Sequence, residues 1–275
     1  MVNKMKQWWP KSYLEWREGD VLNISVPFTW ELPRVQQRIY QMEFDRPKRI
    51  RVGGPAVALM PWYLHGAEVG GEIPGVLQRY NAEATRTTVG CPRRCPFCAV
   101  PKVEGEFREL SDWPDGPIIC DNNLLRASVE HFDRVCDKLE KWGWADFNQG
   151  LDARFMTGHH TERIKRIGEV RVRMALDNVG VMPAWDKAFA NLRAAGISRR
   201  NIGSYVLVGF DSDPSDAWRR CAWVEAHGAL AYPMWYHDLD CIEKNRVTPK
   251  QASLGWSDHE RRKIMQWFYQ HKRAV

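Results

Sequence analysis

The chain has 275 residues, of which 44% are hydrophobic, and 40 basic against 34 acidic side chains give a net charge of +6. The hydrophobic fraction is ordinary for a globular protein, and the length suffices for one large domain or a domain with an appendage. Seven cysteines, three of them within eight residues, do not have the spread of a secreted disulfide framework. The N-terminal sequence lacks the apolar stretch of a signal peptide, and no run of about 18 apolar residues predicts a membrane span. We therefore expect a cytoplasmic protein without a membrane partner.

Residues 1–80 predict a small N-terminal α/β cap. Residues 1–20 are polar and rich in Trp, which favours an irregular or helical segment. Strands are expected at 21–26 and 49–52, with a short helix at 33–42 between them. The second strand ends at Gly53-Gly54-Pro55, and the Gly- and Pro-rich stretch that follows predicts loops up to a boundary near residue 80.

Residues 81–275 alternate strands with helices and form the second predicted domain. The expected strands are 85–89, 117–120, 145–148, 170–176, 202–208 and 230–236. The expected helices are 128–142, 162–167, 184–195, 214–227 and a last one from 257 to about 270. This alternation predicts parallel βαβ units. Six strands are too few for a full eight-stranded barrel but suit an open, partial one, whose ligands gather at the C-terminal ends of the strands.

Two more detailed predictions for this second domain concern the ends of one helix and one face of a strand. Ser128 is expected to cap the start of the 128–142 helix and Gly143 its end. The 170–176 strand is expected to carry Arg171 and Arg173 on an outer, solvent-facing side.

Three cysteines follow the first strand of this series in the pattern C-x-x-x-C-x-x-C, at Cys91, Cys95 and Cys98. A structural zinc site needs four ligands, and no second C-x-x-C supplies them. A four-cysteine electron-transfer cluster would need a fourth ligand from elsewhere, for example Cys120. The third interpretation is a [4Fe–4S] cluster with three protein ligands and one open iron, which is what a cluster needs in order to bind and activate a substrate.

The three cysteines, with aromatic Phe97 just before the last of them, resemble the signature of the radical SAM superfamily over about residues 84–240. The resemblance implies a partial (β/α)6 TIM-like barrel, a [4Fe–4S] cluster and S-adenosyl-L-methionine (SAM) as a second cofactor. It also implies an external low-potential electron donor such as flavodoxin or ferredoxin, and hydrogen abstraction by a 5′-deoxyadenosyl radical.

The resemblance assigns SAM-binding roles to the ends of two strands. Asp121, Asn122 and Asn123 follow the second strand, where they would hold the methionine amine, and this D-N-N sequence is similar to the cobalamin-linked and methylthiotransferase branches. The alternative is a turn or a helix cap, since Asp and Asn are favoured there. Gly209, after the fifth strand, would contact adenine, with Phe97 on the other side of the base.

Two further strand ends carry polar clusters. Arg154 would pair with the SAM carboxylate, since its planar fork matches that shape, and Gln149 and Asp152 would face SAM or the substrate. Asp177 and Asn178 would accept hydrogen bonds from the ribose hydroxyls. A helix cap is an equally good interpretation of this last pair.

The N-terminal region and the charge leave the substrate open. A strand followed by a double Gly resembles the late part of a cobalamin-binding domain, but the region is too short and lacks D-x-H-x-x-G, so we interpret it as a remnant or cap. The basic excess is compatible with a nucleic acid or nucleotide substrate, and a small metabolite or a peptide is the alternative substrate. The alternative function is a non-enzymatic Fe–S or zinc module that binds nucleic acid.

Overall fold

The computed structural model describes residues 9–42, 47–71 and 73–271. Residues 1–8, in which no signal peptide is predicted, lie outside the described part. The chain divides into two compact units. Unit 1 comprises the described residues of Met1–Ala84 together with Cys98–Glu104 and His237–Lys244. Unit 2 comprises Thr85–Phe97, Gly105–Tyr236 and the described residues of Asn245–Val275. Within the described ranges, no helix has the length and apolar character needed to cross a membrane.

Unit 1 contains a four-stranded sheet with short helices. Its strands, in sheet order, are β1 (Leu14–Glu18), β2 (Val21–Ser25), β3 (Arg49–Gly53) and β4 (Glu68–Val69). Its helices are α1 (Leu32–Gln41), α2 (Pro55–Leu59), α3 (Val76–Tyr80) and α4 (Val100–Val103). The first two strands pair antiparallel, and β2–β3 and β3–β4 pair parallel.

The predicted strands and helix of unit 1 are confirmed, but its first strand was missed. The expectation of loops up to residue 80 is wrong in part, because that stretch also forms α2, β4 and α3. The expectation of an irregular or helical lead-in is wrong for residues 14–18, which form β1. The two-residue turn at Gly19, with φ of +58°, joins β1 to β2 as a hairpin. A five-residue polar strand at a sheet edge has too little periodicity to be recognised, so its pairing with β2 decides its structure.

The core of unit 1 lies between its sheet and α1. Leu32, Val35 and Ile39 recur at helical spacing on α1 and are buried against Ile24 and Val52 of the sheet. The double glycine at the end of β3 serves this packing. A Cβ on Gly53 would lie 2.5 Å from the Gly71 carbonyl oxygen, and one on Gly54 would lie 2.8 Å from that of Val26.

Unit 2 is built on a six-stranded sheet. In sheet order its strands are β12 (Leu230–Trp235), β11 (Ile202–Val208), β10 (Glu169–Leu176), β9 (Trp144–Leu151), β8 (Ile118–Ile119) and β5 (Ala84–Thr85). The four pairs from β12 to β8 are parallel, and the Cys120 amide donates to the Thr85 carbonyl at 2.8 Å. A separate antiparallel pair consists of β6 (Thr88–Val89) and β7 (Arg108–Glu109). The predicted parallel α/β organisation is confirmed, and the closure into a partial barrel stays a prediction.

Helices connect the strands of unit 2 and continue beyond the last one. They are α5 (Val129–Trp142), α6 (Gly158–Arg166), α7 (Met182–Ala194), α8 (Pro214–Ala226), α9 (Pro249–Ser253), α10 (Asp258–Met265) and α11 (Trp267–His271). The predicted caps of α5 are confirmed. The Ser128 side chain accepts from the His131 amide, and Gly143 is left-handed with φ of +71°.

The two faces of this sheet differ in character. Val172, Met174 and Leu176 of β10 belong to the core that the helices cover. Arg173 lies on the opposite face, because successive side chains of a strand alternate. The expectation that Arg173 faces solvent is wrong: it is 7% exposed and pairs with Asp146 of β9, which is fully buried. Burial opposes the charge on Arg173, but the Asp146 carboxylate raises its pKa.

Candidate functional site

The cysteine loop begins at the end of β6. Gly90 has φ of +76°, and a Cβ there would collide with the Glu106 carbonyl, so only glycine allows the chain to turn into the loop. Cys91 and Cys95 belong to unit 2, whereas Cys98 is the first residue of a short segment of unit 1. All three are half-buried, and none is part of a disulfide. In the described residues, no three His, Cys, Asp or Glu side chains are grouped so as to hold a metal ion.

Asp121, at the end of β8, fixes the strand that leads into this loop. Its carboxylate accepts hydrogen bonds from the amide and hydroxyl of both Thr87 and Thr88, at 2.8 Å and 3.0 Å from Thr87 and 2.8 Å from the Thr88 hydroxyl. The side chain is 2% exposed, and burial raises its pKa to about 6. The observed contacts thus give Asp121 a structural role, and its role toward SAM stays a prediction.

Asn123, which also follows β8, contacts the first cysteine of the loop. Its Nδ2 donates to the Cys91 Sγ at 3.4 Å. The residue is 2% exposed, and its Oδ1 is buried without a hydrogen-bond partner. Asn122, between the two, is half-buried.

The end of β9 carries an irregularity where the polar cluster was predicted. Val172 of β10 pairs with Phe147, but Met174, two residues on, pairs with Leu151, so residues 148–150 bulge out of the ladder. Gln149 in this bulge is exposed. Bulges re-aim side chains and occur often beside active sites.

A charged cluster follows this bulge and reaches the cysteine loop. Asp152 is 8% exposed and accepts from Arg154 at Nε, 2.6 Å, and Nη2, 2.9 Å. The Nε of Arg93, in the cysteine loop, lies 3.9 Å from an Asp152 oxygen. Burial opposes the charge of Arg154, but Asp152, Asp177 and Cys95 raise its pKa. Four predicted site residues, Cys95, Asp152, Arg154 and Asp177, therefore interact electrostatically.

Asp177 and Asn178, at the end of β10, differ in their surroundings. Asp177 is partly buried, and this burial raises its pKa even though Arg154, Arg220 and Arg93 act to lower it. Asn178 is exposed and precedes a short 3-10 helix without a side-chain cap hydrogen bond, so the capping alternative receives no support.

Phe97 and the end of β11 lie together, as the predicted adenine site requires. The Phe97 and Phe210 rings meet edge to face at 5.4 Å, and Phe210 meets Tyr236 in the same way at 4.9 Å. Gly209 has φ of +81°, and a Cβ there would lie 2.8 Å from the Trp235 ring.

Two buried side chains that hold these strand ends were missed. Arg220 of α8 is fully buried and donates to the carbonyls of Leu176, Asp177 and Leu207, at 3.0, 3.3 and 2.7 Å. Gln251 of α9 is 3% exposed and donates to the carbonyls of Gly209 and Tyr236, at 2.9 and 3.1 Å. The available signal for Arg220 was a charged residue on the apolar helix face that also carries Ala217 and Val224.

Comparisons with known proteins bear on the fold. A scan of protein-family models and a search of curated proteins both find no match. The fold is similar to that of TsrM, a radical S-adenosylmethionine methyltransferase from Kitasatospora setae. Its structure with cobalamin and a [4Fe-4S] cluster bound gives a TM-score of 0.57 at 11% identity and covers 80% of this chain and 64% of that chain. A structure with tryptophan substrate and the SAM analogue aza-SAM gives 0.56 at 10% identity, covering 80% and 62%. This chain thus spans less than two thirds of TsrM, and the shared feature is an α/β fold.

The residues of the cysteine loop fit an iron–sulfur cluster. Each cysteine of such a cluster binds a different iron, so the sulfurs do not converge on one point as the ligands of a single ion do. None of the three cysteines is held in a disulfide. The Asn123 amide donates to the Cys91 sulfur, and the Arg154 guanidinium interacts electrostatically with Cys95.

Proposed function

We propose that the protein is a radical SAM enzyme in which Cys91, Cys95 and Cys98 ligate a [4Fe–4S] cluster beside bound SAM. One observation carries the proposal: several strand ends of unit 2 contact the cysteine loop through polar or aromatic side chains. Asn123 contacts Cys91, Asp152 contacts Arg93, and Phe210 contacts Phe97. Residues 91–97 of the loop, which belong to unit 2, thus lie at the C-terminal edge of its parallel sheet, where such folds bind ligands. The fold shared with TsrM supports the same proposal.

The side chains at this edge are suited to SAM. Arg154 keeps its charge next to Asp152 and would attract the methionine carboxylate. Asp177 would accept from the ribose hydroxyls, with exposed Asn178 and Gln149 available at the rim. Phe97 and the backbone at Gly209 would contact adenine. Asn122 and the Oδ1 of Asn123 would accept from the methionine amine.

A [4Fe–4S] cluster held by Cys91, Cys95 and Cys98 would, when reduced, supply the electron for the reductive cleavage of SAM. This chemistry belongs to the cofactors, so the protein must position SAM, exclude water and hold the loop still. Asp121 serves the last purpose through its bonds to Thr87 and Thr88, which lead into the loop. Arg220 and Gln251 hold the ends of β10, β11 and β12 from buried positions. The six-stranded sheet would be the partial (β/α)6 barrel, and the electron would come from an external donor such as flavodoxin or ferredoxin.

The test is anaerobic reconstitution with iron and sulfide, followed by SAM and dithionite. We expect about four irons per chain and 5′-deoxyadenosine as a product, as a [4Fe–4S] cluster requires. Cys91→Ala, Cys95→Ala and Cys98→Ala should each lose both. Cys241→Ala is the matched control, because Cys241 is also free and half-buried but lies outside the loop. A fully loaded protein that yields no 5′-deoxyadenosine would contradict the proposal.

The same preparation tests the alternative, a non-enzymatic module that binds nucleic acid. That alternative predicts no SAM cleavage and binding of RNA or DNA that weakens steeply as salt is raised. If the enzyme instead acts on a nucleic acid or nucleotide, salt-dependent binding should accompany SAM cleavage. Binding that does not change with salt would count against a nucleic acid or nucleotide substrate, despite the net charge of +6.

Cobalamin-dependent methyl transfer is a second candidate because TsrM is described with cobalamin bound. The glycines of unit 1 give it no support, since backbone carbonyls already occupy the space beside Gly53 and Gly54. Gel filtration with hydroxocobalamin tests it. Absorbance of the corrinoid that co-elutes with the protein would favour methyl transfer, and free elution would reject it.

A further inference from the structure

Asn123 has an unusual hydrogen-bonding state. It is 2% exposed, its Nδ2 donates to Cys91 Sγ at 3.4 Å, and its Oδ1 is buried without a partner. Buried side-chain amides that serve the fold alone have both groups paired, because an unpaired buried acceptor costs about 1–3 kcal/mol. The placement of Asn123 therefore serves more than the fold alone, and its side-chain donor lies on the Cys91 sulfur.

The surroundings of Asn123 hold the amide in place. Two residues earlier, Asp121 bonds Thr87 and Thr88, which belong to the segment that leads into Cys91. One residue later, Leu124 begins a 3-10 helix and is fully buried in the core of unit 2. The amide and the sulfur therefore project from two segments that are joined directly by buried hydrogen bonds.

The direction of the amide follows from the chemistry of the sulfur. A thiolate, whether free or bound to iron, accepts hydrogen bonds and cannot donate. Only the NH2 end of Asn123 is attracted to it, which agrees with the observed Nδ2 contact. Cluster ligands carry more negative charge when the cluster is reduced, so such a donor stabilises the reduced form more than the oxidised form.

We propose that Asn123 sets the reduction potential of the cluster by donating its N–H to the Cys91 sulfur, as a positioning and tuning residue that does not itself bind iron. The inference rests on the proposed function, since it requires the cluster. Hydrogen bonds to the sulfurs are one of the means by which proteins adjust cluster potentials. Removing this bond should make the cluster harder to reduce.

The experiment is a redox titration of the reconstituted protein, followed by EPR of the reduced cluster, without SAM. Asn123→Ala should lower the equilibrium constant for reduction by up to about tenfold, which for one electron is 59 mV. Asn123→Asp keeps the size but replaces the donor with a carboxylate, and its potential should be lower still. Gln266→Ala is the control, because Gln266 is an exposed amide at the end of α10 and its potential should match the wild type.

The outcomes separate this inference from the proposed function. Lowered potentials in both variants, with wild-type iron content, support the role of Asn123 even if no 5′-deoxyadenosine is formed. Potentials equal to that of the wild type overturn it, although SAM cleavage would then still support the proposed enzyme. A change in Asn123→Ala alone, with Asn123→Asp at the wild-type potential, also overturns it, because a carboxylate beside the sulfur must oppose reduction.

Discussion

Replacing Arg220 with Met should destabilise unit 2 more than any neighbouring surface change. The guanidinium is fully buried and donates to three carbonyls at the ends of β10 and β11, to the Ser212 hydroxyl at 3.1 Å and to Asp216 at 2.8 Å. Met fills a similar volume but donates nothing. The carbonyls would then be buried and unpaired, so we expect a loss of about 3–5 kcal/mol, as for other broken buried ion pairs.

The assay is urea unfolding followed by circular dichroism, with the loss read from the midpoint at an unchanged slope. Arg219→Met is the matched control, because Arg219 contacts the same Asp216 at 3.1 Å from an exposed position. An exposed pair of this kind contributes about 0–1 kcal/mol. Equal losses in the two variants, or a loss below about 1 kcal/mol for Arg220→Met, would refute the reasoning.

Two further predictions concern the cysteine loop. Gly90→Ala should lower iron uptake on reconstitution and the free energy of unfolding, because a Cβ there meets the Glu106 carbonyl. Gly105→Ala, at a similar φ of +75° but with open space, should lose only about 1 kcal/mol and keep the cluster. Burial raises the pKa of Asp121 to about 6, so its stabilising contribution is present below pH about 4 and is lost as pH rises through about 6. The difference in unfolding free energy between wild type and Asp121→Asn should therefore fall by about 2 kcal/mol from pH 4 to 7, and a constant difference in urea titrations would contradict this.

The sequence predicted the elements of unit 2 well where periodicity is local. The strand at 202–208 matches β11 at both ends, and the 128–142 helix differs from α5 by its capping residue alone. The prediction from sequence failed where pairing between strands decides the structure. The expected strand at 85–89 is interrupted, because residues 84–85 join the large sheet while 88–89 pair with β7.

The site was predictable in position but not in its contacts. Polar residues after parallel strands pointed to one edge of the sheet, since such strands end on the same side. Asp121 and Asp152 were expected to face a ligand, yet each already accepts hydrogen bonds from the protein itself. The sequence does not show whether a carboxylate at a strand end accepts its hydrogen bonds from a cofactor or from a threonine of the protein.

The sequence by itself determined the alternating βα series and the cysteine spacing, because both depend on residues within one helix, strand or loop. Tertiary structure alone decided which side chains hold these parts in register. Arg220 bonds a carbonyl 44 positions away, and Asp121 bonds the amide of a residue 34 positions away. A buried charged group has no water with which to form hydrogen bonds. Its hydrogen bonds must therefore go to the groups that the fold places next to it, and those groups are distant in the sequence.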